Sequence, residues 1–326
     1  MTILFQGGEL GAFVPSDGSV NESTLASYGS FDPAFARCFI GTTGGGSACY
    51  AESAEFTETA ETYTHFEVTG PLGSSSTMVS FLDASNVVIA TMTATASSPY
   101  TSWTLSMEYR NGGGVMTAIG TPFIMPKTRA PHDIYIFCDA AGGMKHYVSG
   151  TLRNSGSADL SHLDGVAKIR LHAGTFERHW SQVIVADEPT IGMRLFTMYP
   201  SGAGATSQFT GSYTAVDEIA YSDSDYIFSD TNGDVSVFAG TLVGALTGYT
   251  IRSVGVSARA KCGAGGPQNL RLVIRSGSTN YPNGSDIPLD VGYTANQVVW
   301  ETDPDTTLDW TSVGASAIQF GVKAIT

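Results

Sequence analysis

The most constraining feature of this chain is a two-residue rhythm of inward and outward side chains that recurs along most of its length. In Asp133–Asp139, Ile134, Ile136 and Cys138 fall on one side. In Lys168–His172, Ile169 and Leu171 oppose Lys168, Arg170 and His172, and Gln182–Val185 continues the pattern. Val235 and Val237 follow, then Val254, Val256 and Ala258. Leu270, Leu272 and Ile274 stand against Arg271 and Arg275, and Ile318, Phe320 and Val322 against Gln319 and Lys323. A period of two built from Val, Ile, Thr and aromatics describes half-buried strands, because successive Cβ atoms in a strand point to opposite faces. The breaks between runs are turn-formers: Asn111–Gly114, Ala141–Gly143, Asn232–Gly233, Gly263–Pro267 and Asn283–Gly284. They supply the positive φ angles that hairpins need. Ala51–Thr62 is the one stretch with helical character, and its Thr content and lack of an apolar stripe favour a strand there too.

With 326 residues, of which 42% are hydrophobic, the chain can fill two cores. Pro200–Ser207 is small and polar and marks a boundary near 198–218. The expectation is a first domain over 1–200, a linker over 201–216 and a second β-domain over 217–326. Charged residues are only 14%, below the usual quarter, so Ser, Thr, Asn and Gly must supply much of the polar surface.

Thirty acids against sixteen bases give a formal charge of -14. The densest basic stretch is Lys127, Arg129 and His132, far short of a phosphate-tracking groove or a lipid-binding patch, which argues against nucleic-acid and membrane partners. Met1–Glu9 has neither a basic n-region nor an apolar h-region, and no run approaches 18 apolar residues, which predicts a chain made in the cytoplasm without a leader or a spanning segment. Cys38, Cys49, Cys138 and Cys262 fit no zinc spacing. Cys38 and Cys49 have the spacing to bridge a hairpin around Thr42–Gly46, but reduced, packed thiols are the expectation for a cytosolically made chain.

The segment from Lys127 to Tyr199 resembles the closing half of a concanavalin A-like (laminin G-like) jelly roll, through Gly143–Gly150 and the later strand Trp180–Glu188. Ser181 and Gln182 stand where that family often has acids. Ile191–Gly204, Gln208–Thr210, Val216–Glu218, Arg271–Gly277 and Trp300–Pro304 together resemble tailed-bacteriophage virion proteins, in which a jelly roll runs into a second β-domain. The resemblance covers about 60% of the chain. It implies an all-β fold, an N-terminal concanavalin A-like jelly-roll sandwich followed by a second, smaller β-sandwich. It further implies a virion location, other virion proteins as partners, a homo-oligomer, and work done by binding rather than catalysis.

No reactive constellation emerges from the residues. Glycoside hydrolysis needs two carboxylates about 5–10 Å apart, but Glu55, Glu58 and Glu61 are spaced by three and Asp187 and Glu188 are adjacent, so neither set shares a strand face. There is no G-x-S-x-G elbow. The six histidines, His172 and His179 among them, are expected to be hydrogen-bonded surface imidazoles. For calcium, Asp230, Asn232 and Asp234 occupy the first ligand positions of a D-x-[DN]-x-D loop, but Val235 replaces the turn glycine and Thr241 the bidentate Glu. No other cofactor is implied. A lectin-like alternative, host-surface glycan stacked on Trp103 or Trp180, competes with both side chains being core residues.

Overall fold

The computed structural model describes residues 2–7, 12–16, 20–24, 38–42, 49–69, 76–96, 101–126, 128–172, 178–218 and 222–326, with backbone alone for 20–24 and 38–42. Lys127, the Thr43–Gly46 loop and the Cys38 thiol lie outside the described residues, so the proposed bridge to Cys49 does too. The chain divides into two compact units, the second beginning at Phe196.

The first unit contains β1 (Ile3–Gly7), β2 (Phe13–Pro15), β3 (Val20–Thr24), β4 (Cys38–Thr42), β5 (Tyr50–Ser53), β6 (Glu61–Thr69), β7 (Ser76–Leu82), β8 (Val88–Ala96), β9 (Ser102–Arg110), β10 (Met116–Pro126), β11 (Ala130–Phe137), β12 (Gly143–Val148), β13 (Thr151–Ser157), β14 (Lys168–His172) and β15 (Arg178–Ala186). They form an eight-stranded sheet, β13-β12-β11-β6-β15-β4-β3 with β1 also on β15, and a seven-stranded sheet, β10-β9-β8-β7-β14-β5-β2. All pairings are antiparallel, and strands distant in sequence lie side by side, as in a β-sandwich of jelly-roll type.

Alternating side chains fill the space between the sheets. Phe66, Val68, Ile134, Trp180 and Val185 come from the first sheet, and Val79, Phe81, Met92, Trp103, Leu105, Ile169 and Leu171 from the second, all 1% exposed or less. Phe5 and Phe13 join the sheets edge to face at 5.2 Å. Arg178 is 1% exposed and crosses the gap: its guanidinium donates to the Thr77 carbonyl (2.6 Å), the His172 carbonyl (3.1 Å) and Ser76 Oγ. At the β10/β13 edge the sheets meet closely. Gly120 has φ +72°, and a Cβ there would lie 2.0 Å from Asn154 Oδ1, the oxygen that accepts from the Thr121 N–H at 2.8 Å. The Gly143–Gly150 motif is a tight hairpin, with Ser149 and Gly150 both at positive φ between β12 and β13, the combination of a type I′ turn.

The second unit holds β16 (Met198–Ser207), β17 (Val235–Leu242), β18 (Val254–Ala260), β19 (Asn269–Ser276), β20 (Thr279–Pro282), β21 (Ile287–Pro288), β22 (Thr294–Trp300), α1 (Ser312–Ala317) and β23 (Gln319–Ile325). A six-stranded sheet, β16-β17-β23-β19-β20 with β21 on β19, accompanies the pair β18-β22. Leu270, Leu272 and Ile274 pack with Val256, Leu246, Trp310, Ala315 and Ile318 into one core. The fold is therefore all-β, a larger sandwich followed by a smaller one.

Three expectations change. Residues 201–207, read as linker, continue β16 and pair with β17. Small residues there allow close backbone approach: a Cβ on Gly204 would meet the Val237 carbonyl at 2.2 Å. Ala51–Thr62 is split, with β5 ending at Ser53 and β6 beginning at Glu61. A one-turn helix, α1, interrupts the last strand pattern so that Ile318 caps it; Thr311 Oγ1 accepts from the Gly314 N–H at 2.9 Å as the N-cap.

Candidate functional site

A sandwich offers two outer faces. In the eight-stranded sheet the middle of that face is closed by the chain itself. β15 is buried along its whole length, and β6 from Thr62 to Val68. A bulge at Gln182, φ +58°, turns its amide outward to bond both ways with the backbone of Leu195, at 2.7 and 2.8 Å. Thr190 Oγ1 donates to Asp133 Oδ1 at 2.8 Å, and the same oxygen lies 2.9 Å from His65 Nδ1. His65, Asp133 and Thr190 are all 1% exposed or less, so this His–Asp pair anchors the covering segment and is shut off from solvent.

The outer face of the seven-stranded sheet is different. The register places Glu52 opposite Arg170, Arg170 opposite Ser80, Ser80 opposite Thr91, and Thr91 opposite Glu108. These five side chains form one row across β5, β14, β7, β8 and β9. Arg170 pairs with Glu52, and its guanidinium lies 4.6 Å from the centroid of the Tyr50 ring. Two residues along, on the same faces, Tyr50 stands opposite His172 with rings 5.8 Å apart. His172 Nε2 is 2.8 Å from Ser80 Oγ. Burial, then the nearby Arg178 and Arg170 charges, lower the His172 pKa to about 4, so the imidazole is neutral at ordinary pH and bonds as a dipole. Thr91 Oγ1 donates to Glu108 at 3.4 Å. Beyond the row, Thr93 faces Ser106 and Thr95 faces Thr104. Glu52, Arg170, His172, Thr93, Thr104, Ser106 and Glu108 are half-buried and Thr95 is exposed. The sequence pattern already turned Arg170 and His172 outward; what it lacked was the register that sets Glu52, Ser80, Thr91 and Glu108 beside them.

This arrangement presents hydroxyls, a neutral imidazole, a charge-compensated guanidinium and an aromatic ring on a rigid sheet. Glu52 and Glu108 are four strand spacings apart, about 19 Å at about 4.8 Å each, too far for the about 5–10 Å that glycoside hydrolysis requires of its two carboxylates.

Other residues singled out from sequence sit elsewhere. Trp103 and Trp180 are 1% and 0% exposed in the first core, and neither indole offers a face to a sugar; giving up either buried ring would forfeit roughly 3–5 kcal/mol. Glu55 pairs with Lys168 (3.1 Å), Glu58 accepts from the Ala84 N–H (3.1 Å), Glu61 from the Tyr63 hydroxyl (3.2 Å), and Asp187 from the Thr2 N–H. In the Asp230–Asp234 loop, Asp234 accepts from Ser229 Oγ (2.7 Å) and Asn232 from the Thr326 N–H (3.1 Å). Among the described residues no three His, Cys, Asp or Glu side chains gather as a metal site. His172 and His179 belong to opposite sheets. Four of the histidines are not the surface imidazoles expected, since His65, His132, His146 and His179 are all 3% exposed or less, whereas His162 is exposed and bonds the Arg110 carbonyl at 2.8 Å. Cys138 is a buried thiol, its pKa pushed up to about 11 by burial and then by Asp139, Glu58 and Asp164.

No family model matches the chain, and no curated protein matches it. Among solved structures it is similar to the globular domain of T. cruzi calreticulin, with TM-score 0.43, 11% identity, and 57% of this chain and 88% of that chain covered. It is also similar to the cellulose-induced protein Cip1 (TM-score 0.37, 10% identity, 56% and 94% covered). A third is an alginate lyase from Alteromonas sp. 272 (TM-score 0.30, 10% identity, 44% and 81% covered). At this level of similarity none of them speaks to ligand or activity; the class of the molecule is that of an all-β, β-sandwich protein.

Proposed function

We propose that the chain is a lectin-like adhesion protein that binds carbohydrate on the outer face of the seven-stranded sheet. The observation that carries this is the row Glu52–Arg170–Ser80–Thr91–Glu108, buried at Ser80 and Thr91 and half-buried at Glu52, Arg170 and Glu108, flanked by the half-buried Tyr50, His172, Thr93 and Ser106. Sugars need paired donors and acceptors and an apolar ring surface at the same place, and that mixture stands here on strands that hold it rigid. The site works by binding; no residue is assigned a chemical step. The setting we infer is a tailed-phage particle, where the chain acts in several copies, contacts other virion proteins and presents this face to host-surface glycan. Its support is the resemblance over Arg271–Gly277 and Trp300–Pro304. Repeated use of one surface fits closed symmetric assembly.

The test is a glycan array probed with the full chain and with Tyr50→Ala and Thr93→Val/Ser106→Ala variants of unchanged circular dichroism. Binding by the wild type, lost in both variants, is the expected result. A wild type that binds no glycan while assembling with particle components would replace adhesion by a purely structural role through protein–protein contacts.

A further inference from the structure

The glycan-binding face carries its own statement about which sugars it accepts, an inference that rests on the reading above. Two ion pairs compensate the charge where β5 meets β14. Arg170 is paired with Glu52, and the two side chains are 21% and 19% exposed. Lys168, on the same face of β14, is 3.1 Å from Glu55. Arg110 follows Glu108 by two residues on the outward side of β9. At the β5/β14 end of the row, among the described residues, both cations, Arg170 and Lys168, are therefore committed to carboxylates. The formal charge of the whole chain, -14, adds a field that disfavours approach of any polyanion. Hydroxyls, by contrast, are abundant: Thr93, Thr95, Thr104 and Ser106 stand on the outward side of β8 and β9, while Ser80 and Thr91, 3% and 7% exposed, hold His172 and Glu108 in place.

The row also has a direction. Its members are register partners, so the line from Glu52 to Glu108 runs across the strands over about 19 Å, four spacings of about 4.8 Å. A ligand that touches both ends must be an extended chain of several sugars, because a monosaccharide spans only one or two strands.

We infer that the face binds an uncharged oligosaccharide laid across the strands, and that Glu52 is a specificity-determining residue which excludes uronate-bearing chains by occupying Arg170. A bidentate guanidinium is the side chain best suited to a sugar carboxylate. In this protein Glu52 holds the Arg170 Nε and compensates the guanidinium's charge. Removing the Glu52 charge while keeping its shape hands the guanidinium back to solvent, with Tyr50 still supporting it at 4.6 Å. Specificity then arises from what the site refuses as much as from what it contacts.

The experiment uses the full chain and its Glu52→Gln variant on an array of neutral and uronate-bearing oligosaccharides of matched lengths, two to eight sugars, with affinities of hits measured by calorimetry. The wild type is expected to bind neutral chains with affinity that climbs with length until the row is spanned. Glu52→Gln, its circular dichroism unchanged, should shift the ratio of uronate to neutral affinity about ten-fold or more towards uronate chains, the scale of one charge-assisted contact. Wild-type binding of uronate chains as tight as neutral ones overturns the inference and leaves glycan binding intact. So does neutral binding independent of length beyond two sugars, or a Glu52→Gln variant with no gain for uronates. Absence of binding to both classes overturns the glycan-binding reading itself.

Discussion

Acid should unfold the first unit through two histidines that lie between its sheets. His132 Nδ1 is 2.9 Å from His146 Nε2, and both residues are 0% exposed. His132 stacks on Phe66 with the rings 6° from parallel, and Phe123 meets His146 edge-on at 5.2 Å. His132 Nε2 and His146 Nδ1 have no hydrogen-bond partner. Burial lowers the His132 pKa to about 3, only partly opposed by Asp133, and holds His146 well below 6.5 as well. In the unfolded chain both return to the ordinary value near 6.5. Between these limits the unfolded state binds more protons than the folded one, so stability is complete above pH 6.5 and is lost as pH falls below it. For His132 alone, lowering pH from 7.5 to 5 costs ~2 kcal/mol, and His146 adds a loss of the same sign. The variant that isolates the effect is His132→Leu/His146→Leu, since a single replacement would orphan the remaining imidazole at about 1–3 kcal/mol. Hydrogen exchange of the β11 and β12 amides reads the opening free energy of this unit. The wild type should lose at least ~2 kcal/mol more than the double variant over that pH interval. Equal losses in the two proteins would refute the reasoning. So would imidazole nitrogen shifts in the wild type that titrate near 6.5, a measurement that needs no variant to fold.

Arg178→Met removes three donors from the gap between the sheets, one of them 2.6 Å from the Thr77 carbonyl, and should cost about 3 kcal/mol in urea unfolding, with Arg178→Lys recovering only part. Gly120→Ala would place a methyl 2.0 Å from Asn154 Oδ1 at a φ of +72°, and a loss of roughly 2 kcal/mol or more is expected from strain and overpacking; a change under about 0.5 kcal/mol would mean that the β10/β13 edge is looser than described. Thr190→Val removes the donor to Asp133 and should raise the exchange rate of the Leu195 amide, held on Gln182 Oε1 at 2.7 Å, for a local cost of about 1 kcal/mol.

The elements of this fold were legible where one face is dry and the other wet. β14 reads Lys168-Ile169-Arg170-Leu171-His172 and is buried in strict alternation, and β19 buries Leu270, Leu272 and Ile274 on the same logic. The rhythm misleads where both faces are covered. In β11, Tyr135 and Asp133 are as buried as Ile134 and Ile136, because residues beyond β15 fold back over that sheet and Thr190 takes the Asp133 carboxylate. A composition that reads as polar and outward is satisfied there by hydrogen bonds instead of water, which is the condition for burying it. For the same reason His132 and His146 looked like surface groups: nothing local marks a histidine whose partner is another histidine 14 residues away. Small residues misled in the opposite direction, since Gly202–Ala205 resembles a linker and belongs to the edge strand of the six-stranded sheet in the second unit.

The candidate site was hidden for a deeper reason. Each member of the row is ordinary in its own strand: Glu52 and Arg170 are charges on outward positions, Ser80 and Thr91 hydroxyls among many. Their order in space, 52-170-80-91-108, bears no relation to their order in the chain, because β14 is inserted between β5 and β7. Only the register turns them into neighbours, and a slip of one residue in β14 would send Arg170 and His172 into the core and bring Ile169 and Leu171 out. That slip is opposed by burial of Ile169 and Leu171, each 0% exposed and contributing about 1.5–3 kcal/mol to the native pairing. The same apolar residues that form the core therefore align the polar face above it, so a polar row of this kind is specified by the hydrophobic pattern and not by any motif among its own members.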